Sequence, residues 1–434
     1  MSTFGDRRNA PCRRARILRS SSKIEAEIVE SQRSSTAGRN PGETGGQRPV
    51  ALELGLRTGE SPAMQLTARN YRALREATLE VEPGVNALVG PNGVGKTTLI
   101  SVGAVLREAA VDRGLAAGLE NWAGFSQIRY LGAAPSAPVV LGVATAGVSW
   151  EIEPNPVQGG IHAYPAERLR AGDRLVFARA AGTTEYTLGA KKENVDSRTV
   201  LKMLCDADKE GKFEGRPIAA SLTGWRVFCD YYIYRLRHQG SDVSGLTWMH
   251  SNGINAFSVL RNWRDKSANE YRWKLVMEGL RECFPFFDQL DFSATQQVVS
   301  GEIVQRGFGR ATTSVETAAN GWFAAMLHLT AVASAENGQV VCIDEFENSL
   351  HPAAIHALLD LIEDYARARS ITIVLTTQSP TVLDWFETRP ERVSVITGGS
   401  EHGVQRLTDL RDRGWLAQFR LGRLFQDQEF GGRG

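Results

Sequence analysis

Strand-like patterning begins at Met64-Gln65-Leu66-Thr67-Ala68-Arg69-Asn70-Tyr71, and residues 64–112 read as strand, strand, strand, glycine-rich loop and helix. The third strand is the short apolar run Val85-Asn86-Ala87-Leu88-Val89, and Thr98-Leu99-Ile100-Ser101-Val102 opens the amphipathic helix. Further on, Val139-Val140-Leu141-Gly142-Val143, Val148-Ser149-Trp150-Glu151-Ile152 and Leu175-Val176-Phe177 alternate as strands do. Residues 224–238, 254–264 and 269–283 instead carry apolar positions at helical spacing, with Asn252-Gly253 as a turn signal. No heptad repeat runs through them, which excludes a long coiled-coil arm. The apolar strand Gln339-Val340-Val341-Cys342-Ile343 follows, then a helix over 352–369 with Pro352 in its first turn and Ile355, Leu358, Leu359 and Ile362 on one face. Two more strands, Ile371-Thr372-Ile373-Val374-Leu375 and Arg392-Val393-Ser394-Val395-Ile396, precede a short helix containing Trp415, Leu416 and Phe419. Helices alternating with apolar strands predict a parallel sheet. The chain therefore reads as an α/β fold with a discontinuous core, 64–112 and 300–434, around an inserted strand-plus-helical arm at 113–299.

Residues 1–63 differ in kind: they are rich in Arg, Ser, Gly and Pro, and Phe4 is their only aromatic, so the segment reads as disordered. A transit peptide is disfavoured by Glu25, Glu27 and Glu30, and a true start at Met64 is the alternative. Over the whole chain of 434 residues, 42% hydrophobic and 23% charged residues are ordinary for a globular protein. The apolar stretch Phe323-Ala324-Ala325-Met326-Leu327 is broken by His328 well short of the roughly eighteen residues a membrane span needs. A cytoplasmic protein with no membrane partner is expected. The five cysteines form no C-x-x-C pair, so neither a disulfide framework nor a zinc site is indicated. Lys+Arg of 50 against Asp+Glu of 49 means that any basic surface must be local.

Candidate chemistry centres on Gly90-Pro91-Asn92-Gly93-Val94-Gly95-Lys96-Thr97, a complete G-x-x-x-x-G-K-[ST] loop between a strand and a helix. Its glycines let consecutive N–H groups, continuing to Thr98, face phosphates; Lys96 reaches the β- and γ-phosphates, and the Thr97 hydroxyl ligates Mg²⁺. A second site is the acidic pair Asp344-Glu345 at the carboxyl end of the strand 339–343, where open α/β sheets place ligands. Asp344 is assigned to Mg²⁺, and Glu345 to orienting or deprotonating the attacking water. ATP is favoured over GTP because no N-K-x-D base-reading motif occurs.

With both sites placed, the chain resembles an AAA-type ATPase of the ABC/RecF/SMC-like class, above all the ATPase portion of the overcoming-lysogenization-defect family. The resemblance runs from Met64 to the C-terminus and rests on motifs in order. Ala68-Arg69-Asn70-Tyr71-Arg72-Ala73-Leu74 and Gly84-Val85-Asn86 form the opening, and Ile343-Asp344-Glu345-Phe346-Glu347-Asn348-Ser349-Leu350-His351-Pro352 the acidic motif with its following loop. Thr376-Thr377-Gln378-Ser379-Pro380 stands where the family has a Thr-His-Ser-Pro switch. The resemblance implies a homodimer that sandwiches ATP, each site being completed by a partner's signature segment. That segment resembles Thr317-Ala318-Ala319-Asn320-Gly321-Trp322, with Asn320 and Gly321 as its phosphate contacts; a plain turn before a core helix is the competing reading. Ala319 replaces the expected serine and Gln378 the expected histidine, which implies slow hydrolysis or a site tuned for switching. Gln127 is a candidate for the glutamine that senses Mg²⁺ and γ-phosphate in such sites.

Relatives of this class serve DNA maintenance, repair or anti-phage defence, so the resemblance also implies DNA as a partner. Tyr231, Tyr232, Tyr234, Arg235, Arg237, His238, Trp263, Arg264, Lys266, Tyr271, Arg272, Trp273 and Lys274 interleave aromatic and basic residues as nucleic-acid contacts do. The competing reading buries the aromatics in a helical core and leaves the charges solvated. Too little chain follows the last strand for the family's Toprim nuclease domain, so a separately encoded nuclease or effector is expected. Two other readings stay open: a transporter-type ATPase subunit, and an ATP-bound scaffold with little turnover.

Overall fold

The computed structural model describes residues 63–431 except 112–113, 123–127, 135, 155, 158–159, 162–163, 197–198, 308–310 and 399–402. The expectations for residues 1–62 and for Gln127 lie outside the described residues.

The first half of the chain builds an antiparallel sheet. Strands β1 (Met64–Tyr71) and β2 (Leu74–Val81) form a hairpin in which Leu66 faces Leu79 and Ala68 faces Ala77. After β3 (Gly84–Val89), helix α1 (Lys96–Ala110) and helix α2 (Leu115–Trp122) come β4 (Val140–Thr145), β5 (Val148–Glu153), β6 (Ala166–Ala171), β7 (Arg174–Arg179), β8 (Glu185–Leu188) and β9 (Lys191–Asn194). The eight-stranded order is β9-β8-β7-β6-β5-β4-β1-β2. Strands β4 to β9, read as part of an arm, are thus an outward extension of the sheet that β1 and β2 begin. The physical reason is β1, whose free edge pairs with β4 from Met64↔Thr145 to Arg69↔Val140.

Helices α3 (Val200–Ala207) and α4 (Arg216–Thr223) lead to β10 (Arg226–Phe228) and α5 (Ile233–Gln239). Then come α6 (Ala256–Asp265), α7 (Glu270–Cys283), β11 (Phe287–Ala294), β12 (Val298–Gln305) and α8 (Asn320–Ala333). The chain closes through β13 (Val340–Ile343), α9 (Pro352–Ala368), β14 (Thr372–Thr377), α10 (Pro380–Trp385), β15 (Val393–Thr397), β16 (Gly403–Arg406) and short C-terminal helices. A six-stranded sheet has the order β10-β13-β14-β3-β15-β16, parallel throughout except for the last pair. The fold is α/β with mixed sheets, as expected.

The predominantly apolar strands are explained by two buried faces. Val85, Ala87, Val89, Val341, Ile343, Ile373 and Leu375 pack into a core with α6, α7, α8 and α9. The alternate residues Leu88, Val340, Cys342 and Val374 pack instead with α1 and the antiparallel sheet. Helix α1, which carries Lys96 and Thr97, is therefore clamped between the two sheets. Residues 224–238, expected to be one helix, are split by β10 at the sheet edge. Val227 buries on one face and Phe228 on the other, and Asp230 at φ 48 breaks the chain before α5. Among the described residues no helix is long and apolar enough to cross a membrane.

Trp225 fixes α1 from outside the sheet: its indole Nε1 donates to the Ile100 carbonyl at 3.0 Å, and its ring lies against Gly103. A β-carbon at Gly103 would fall 2.2 Å from that ring. Gly103→Ala is expected to lower unfolding free energy by about 3 kcal/mol, read from the denaturant midpoint. An unchanged midpoint would contradict this packing.

Candidate nucleotide site

The loop 90–95 turns from the end of β3 into α1, and the turn is made by Gly95, the residue before the helix, at φ 111. A β-carbon there would also fall 2.6 Å from Leu74 Cδ2 in β2, so both conformation and space require glycine. No side chain caps α1, which leaves its first-turn N–H groups facing the cleft. Lys96 is 7% exposed, and its Nζ donates to the carbonyls of Gly90 at 2.8 Å and Pro91 at 3.0 Å. Burial pushes the ammonium below the usual lysine range, while Asp344, Glu345 and Glu347 oppose that shift. Lys96 thus holds the loop's shape with the same three N–H donors that suit phosphate oxygens.

Asp344, at the carboxyl end of β13, faces α1 directly: its Oδ2 accepts from Thr97 Oγ1 at 2.7 Å, and its Oδ1 accepts from Thr376 Oγ1. The hydroxyl of Thr376 in turn accepts from the Glu345 N–H at 2.9 Å. Glu345 itself sits at φ 48, and its Oε2 accepts from Asn348 Nδ2 at 2.6 Å. Such a left-handed residue without glycine costs free energy and persists only where its surroundings fix it. The Thr97 hydroxyl and Asp344 carboxylate are adjacent hard oxygen donors on an open cleft, which fits Mg²⁺, an ion that takes few protein ligands and keeps water and phosphate oxygens. Among the described residues no cluster of three or more His, Cys, Asp and Glu offers a fuller metal cage.

Gln378 closes the other side. Its Nε2 donates to Asn92 Oδ1 across the cleft, and its N–H donates to Glu347 Oε1 at 2.8 Å. Glu347 also accepts from Thr377 Oγ1 at 2.8 Å. The cleft encloses about 200 Å³, and its walls include Asn92, Gly93, Gly95, Lys96, Thr97, Thr98, Asp344, Glu345 and Gln378. Gly90 and Pro91 contribute through the Lys96 contacts, and Val94 is buried under the loop.

Asn320 and Gly321 are not brought to this cleft. They form the first turn of α8, where Asn320 Oδ1 accepts from Arg237 Nη2 and a β-carbon on Gly321 would fall 2.5 Å from the Ser349 carbonyl oxygen. Ala319 precedes the helix with no side-chain cap, as its side chain dictates. The sequence alone assigns no individual role to Thr376, Glu347, Asn348 or Ala73, which support or line the site; the first three stand beside the acidic pair or the switch turn, and Ala73 in the turn between β1 and β2.

Two stretches of the chain match known families. Residues 65–102 match a family described as an AAA domain, and residues 235–384 match one described as an AAA domain, putative AbiEii toxin, type IV TA system. The first spans the phosphate loop; the second spans Asn320, Gly321, Asp344, Glu345 and Gln378. Each half of this site therefore lies in a stretch that matches an AAA-domain family. No curated protein matches the chain. Similar solved structures include an Smc head bound to the C-winged helix domain of ScpA, at 14% identity over 74% of this chain and 90% of that one, with a TM-score of 0.42. The Smc head domain with an extended coiled coil bound to the C-terminal domain of ScpA, derived from Pyrococcus furiosus, shares 14% identity over 79% and 96%, with a TM-score of 0.44. The SMC head domain from Thermotoga maritima shares 14% identity over 79% and 98%, with a TM-score of 0.35.

The aromatic and basic residues divide. Trp263 is fully buried, and Arg272 is held inside by the Ala333 carbonyl and Glu336, so the core reading applies to them. Tyr232 and Tyr234, 55% and 76% exposed, remain on the surface around α5.

Proposed function

We propose that the chain is an ATP-binding and ATP-hydrolysing switch. The observation that carries this reading is the Thr97–Asp344 pair, which joins the phosphate loop to the acidic strand end with Lys96 and Glu345 beside it. On binding, Lys96 exchanges the Gly90 and Pro91 carbonyls for phosphate oxygens, and the first-turn amides of α1 take the rest of the charge. Mg²⁺ held by Thr97 and Asp344 would neutralise charge on the β- and γ-phosphates. Glu345, held by Asn348, orients the attacking water and accepts its proton. Gln378 supplies a neutral amide donor where an imidazole would add charge, which favours slow turnover.

The first turn of α8 lies outside its own cleft, and this supports a homodimer in which Asn320 and Gly321 complete the partner's site. The setting we favour is DNA maintenance or defence with a separate effector; a family match whose description names a putative toxin supports that setting. Tyr232 and Tyr234 are the surface we assign to DNA. A scaffold with little turnover is the second reading, favoured by the missing cap at Ala319.

The test is metal dependence. Asp344→Asn is expected to reduce hydrolysis by about 100-fold or more, and excess EDTA to abolish it, measured as phosphate release. Hydrolysis that survives both would contradict the assignment.

A further inference from the structure

Helix α8 is buried from Trp322 through Ala333, and His328 and Thr330 are the polar side chains within that stretch. Thr330 satisfies itself on its own helix, donating to the Met326 carbonyl at 2.6 Å. His328 is bonded outside the helix on both ring nitrogens. Its Nε2 lies 3.1 Å from the Phe346 carbonyl and its Nδ1 lies 3.2 Å from the Tyr231 hydroxyl. A carbonyl only accepts, so Nε2 carries the proton; in the neutral ring Nδ1 then accepts from Tyr231. Burial pushes the imidazole down to about 4, keeping it neutral. The ring also stacks on the Phe346 ring, with centroids 4.9 Å apart at 22°.

An apolar side chain would fill this space without the cost of burying two polar nitrogens, so the imidazole contributes direction rather than bulk. What it directs is the segment after Glu345. The Phe346 N–H donates to the Thr376 carbonyl at 3.3 Å, and the Glu345 N–H to the Thr376 hydroxyl at 2.9 Å, so β14 holds this turn from one side. His328 holds it from the other. Helix α8 touches the same turn again where Gly321 lies against the Ser349 carbonyl.

We propose that His328 is a positioning residue for Glu345: it ties α8, whose first turn lies outside its own cleft, to the backbone that sets the Glu345 carboxylate. This rests on the hydrolytic reading above. A shift of α8 when its first turn engages a partner would then move the Phe346 carbonyl and, with it, Glu345.

Three substitutions in the full chain separate this from packing. Glutamine carries its amide nitrogen near the place of Nε2 and retains the Phe346 bond; asparagine reaches only the place of Nδ1; leucine retains neither. Because misplacing a catalytic group by a fraction of its reach is costly, kcat for ATP is expected to fall about tenfold in His328→Leu and His328→Asn. His328→Gln should stay within about twofold of wild type, and ATP affinity should stay within about twofold in all three. Equal kcat in all four proteins overturns the proposal. So does a parallel fall of kcat, ATP affinity and melting temperature, which marks a merely structural role. Should His328→Leu not fold, the contrast between His328→Asn and His328→Gln decides alone. Wild type and Glu345→Gln are run alongside. Hydrolysis that depends on Glu345 but not on His328 overturns this proposal only, whereas wild type without Glu345-dependent hydrolysis overturns the functional reading and this proposal with it.

Discussion

Lys96→Ala is expected to weaken ATP binding by about 100-fold or more, equivalent to about 2.7 kcal/mol, measured by calorimetric titration with Mg²⁺-ATP. Lys96 is the buried cation of the cleft, and its partners here are the Gly90 and Pro91 carbonyls of its own loop. Charge-assisted bonds to phosphate are roughly twice as strong as the neutral kind, so removing this ammonium takes the strongest single contact from the nucleotide. The fold does not depend on it, because α1 is held between the two sheets by Leu99, Ile100, Val102 and Val105 and by Trp225. A normal melting temperature with lost binding is therefore the expected pair of results. Undiminished affinity would mean that the glycine-rich loop does not hold the nucleotide's phosphates.

The second large effect is at Glu345. Glu345→Gln keeps the side chain's length and an oxygen that can still accept from Asn348, but it cannot take a proton from water. Turnover is expected to fall by about 100-fold or more with ATP affinity retained, since general-base catalysis contributes on that order. If hydrolysis is what releases the proposed dimer, the variant should also stay dimeric in Mg²⁺-ATP by light scattering, where wild type returns to monomer as ATP is consumed. A variant with wild-type turnover would move the base elsewhere; Asn348 and Thr376, which hold the carboxylate and its backbone, would then need another explanation.

The nucleotide motifs were legible because their chemistry is contiguous. The glycine-rich loop sits directly between β3 and α1, and Asp344 directly follows β13, so each motif lies next to the element that places it. The parallel strands were legible for a related reason: burial on both faces makes Val340–Ile343 wholly apolar and leaves its neighbours β14 and β3 mostly so. Residues 224–238 were not, because the three residues of β10 carry no period of their own and Trp225, Val227 and Phe228 fit a helical face equally well. The pairing of β1 with β4 was also hidden, since hydrogen bonds between backbones so far apart in sequence leave no local signature. At the site, Thr376 and Glu347 act through single hydrogen bonds that common polar residues make everywhere. His328 read only as the break in an apolar run; its role appears once Phe346 and Tyr231 stand on either side of its ring.

The turnover of ATP in this cleft underlies every role assigned to its residues. It is tested most directly by steady-state phosphate release from the chain at low salt in Mg²⁺-ATP, with and without double-stranded DNA, using Lys96→Ala as the blank. Slow release above the blank is expected, raised by DNA if the surface around α5 contacts it. Release no greater than from Lys96→Ala under both conditions, with ATP bound, would contradict a hydrolytic switch and leave the ATP-bound scaffold.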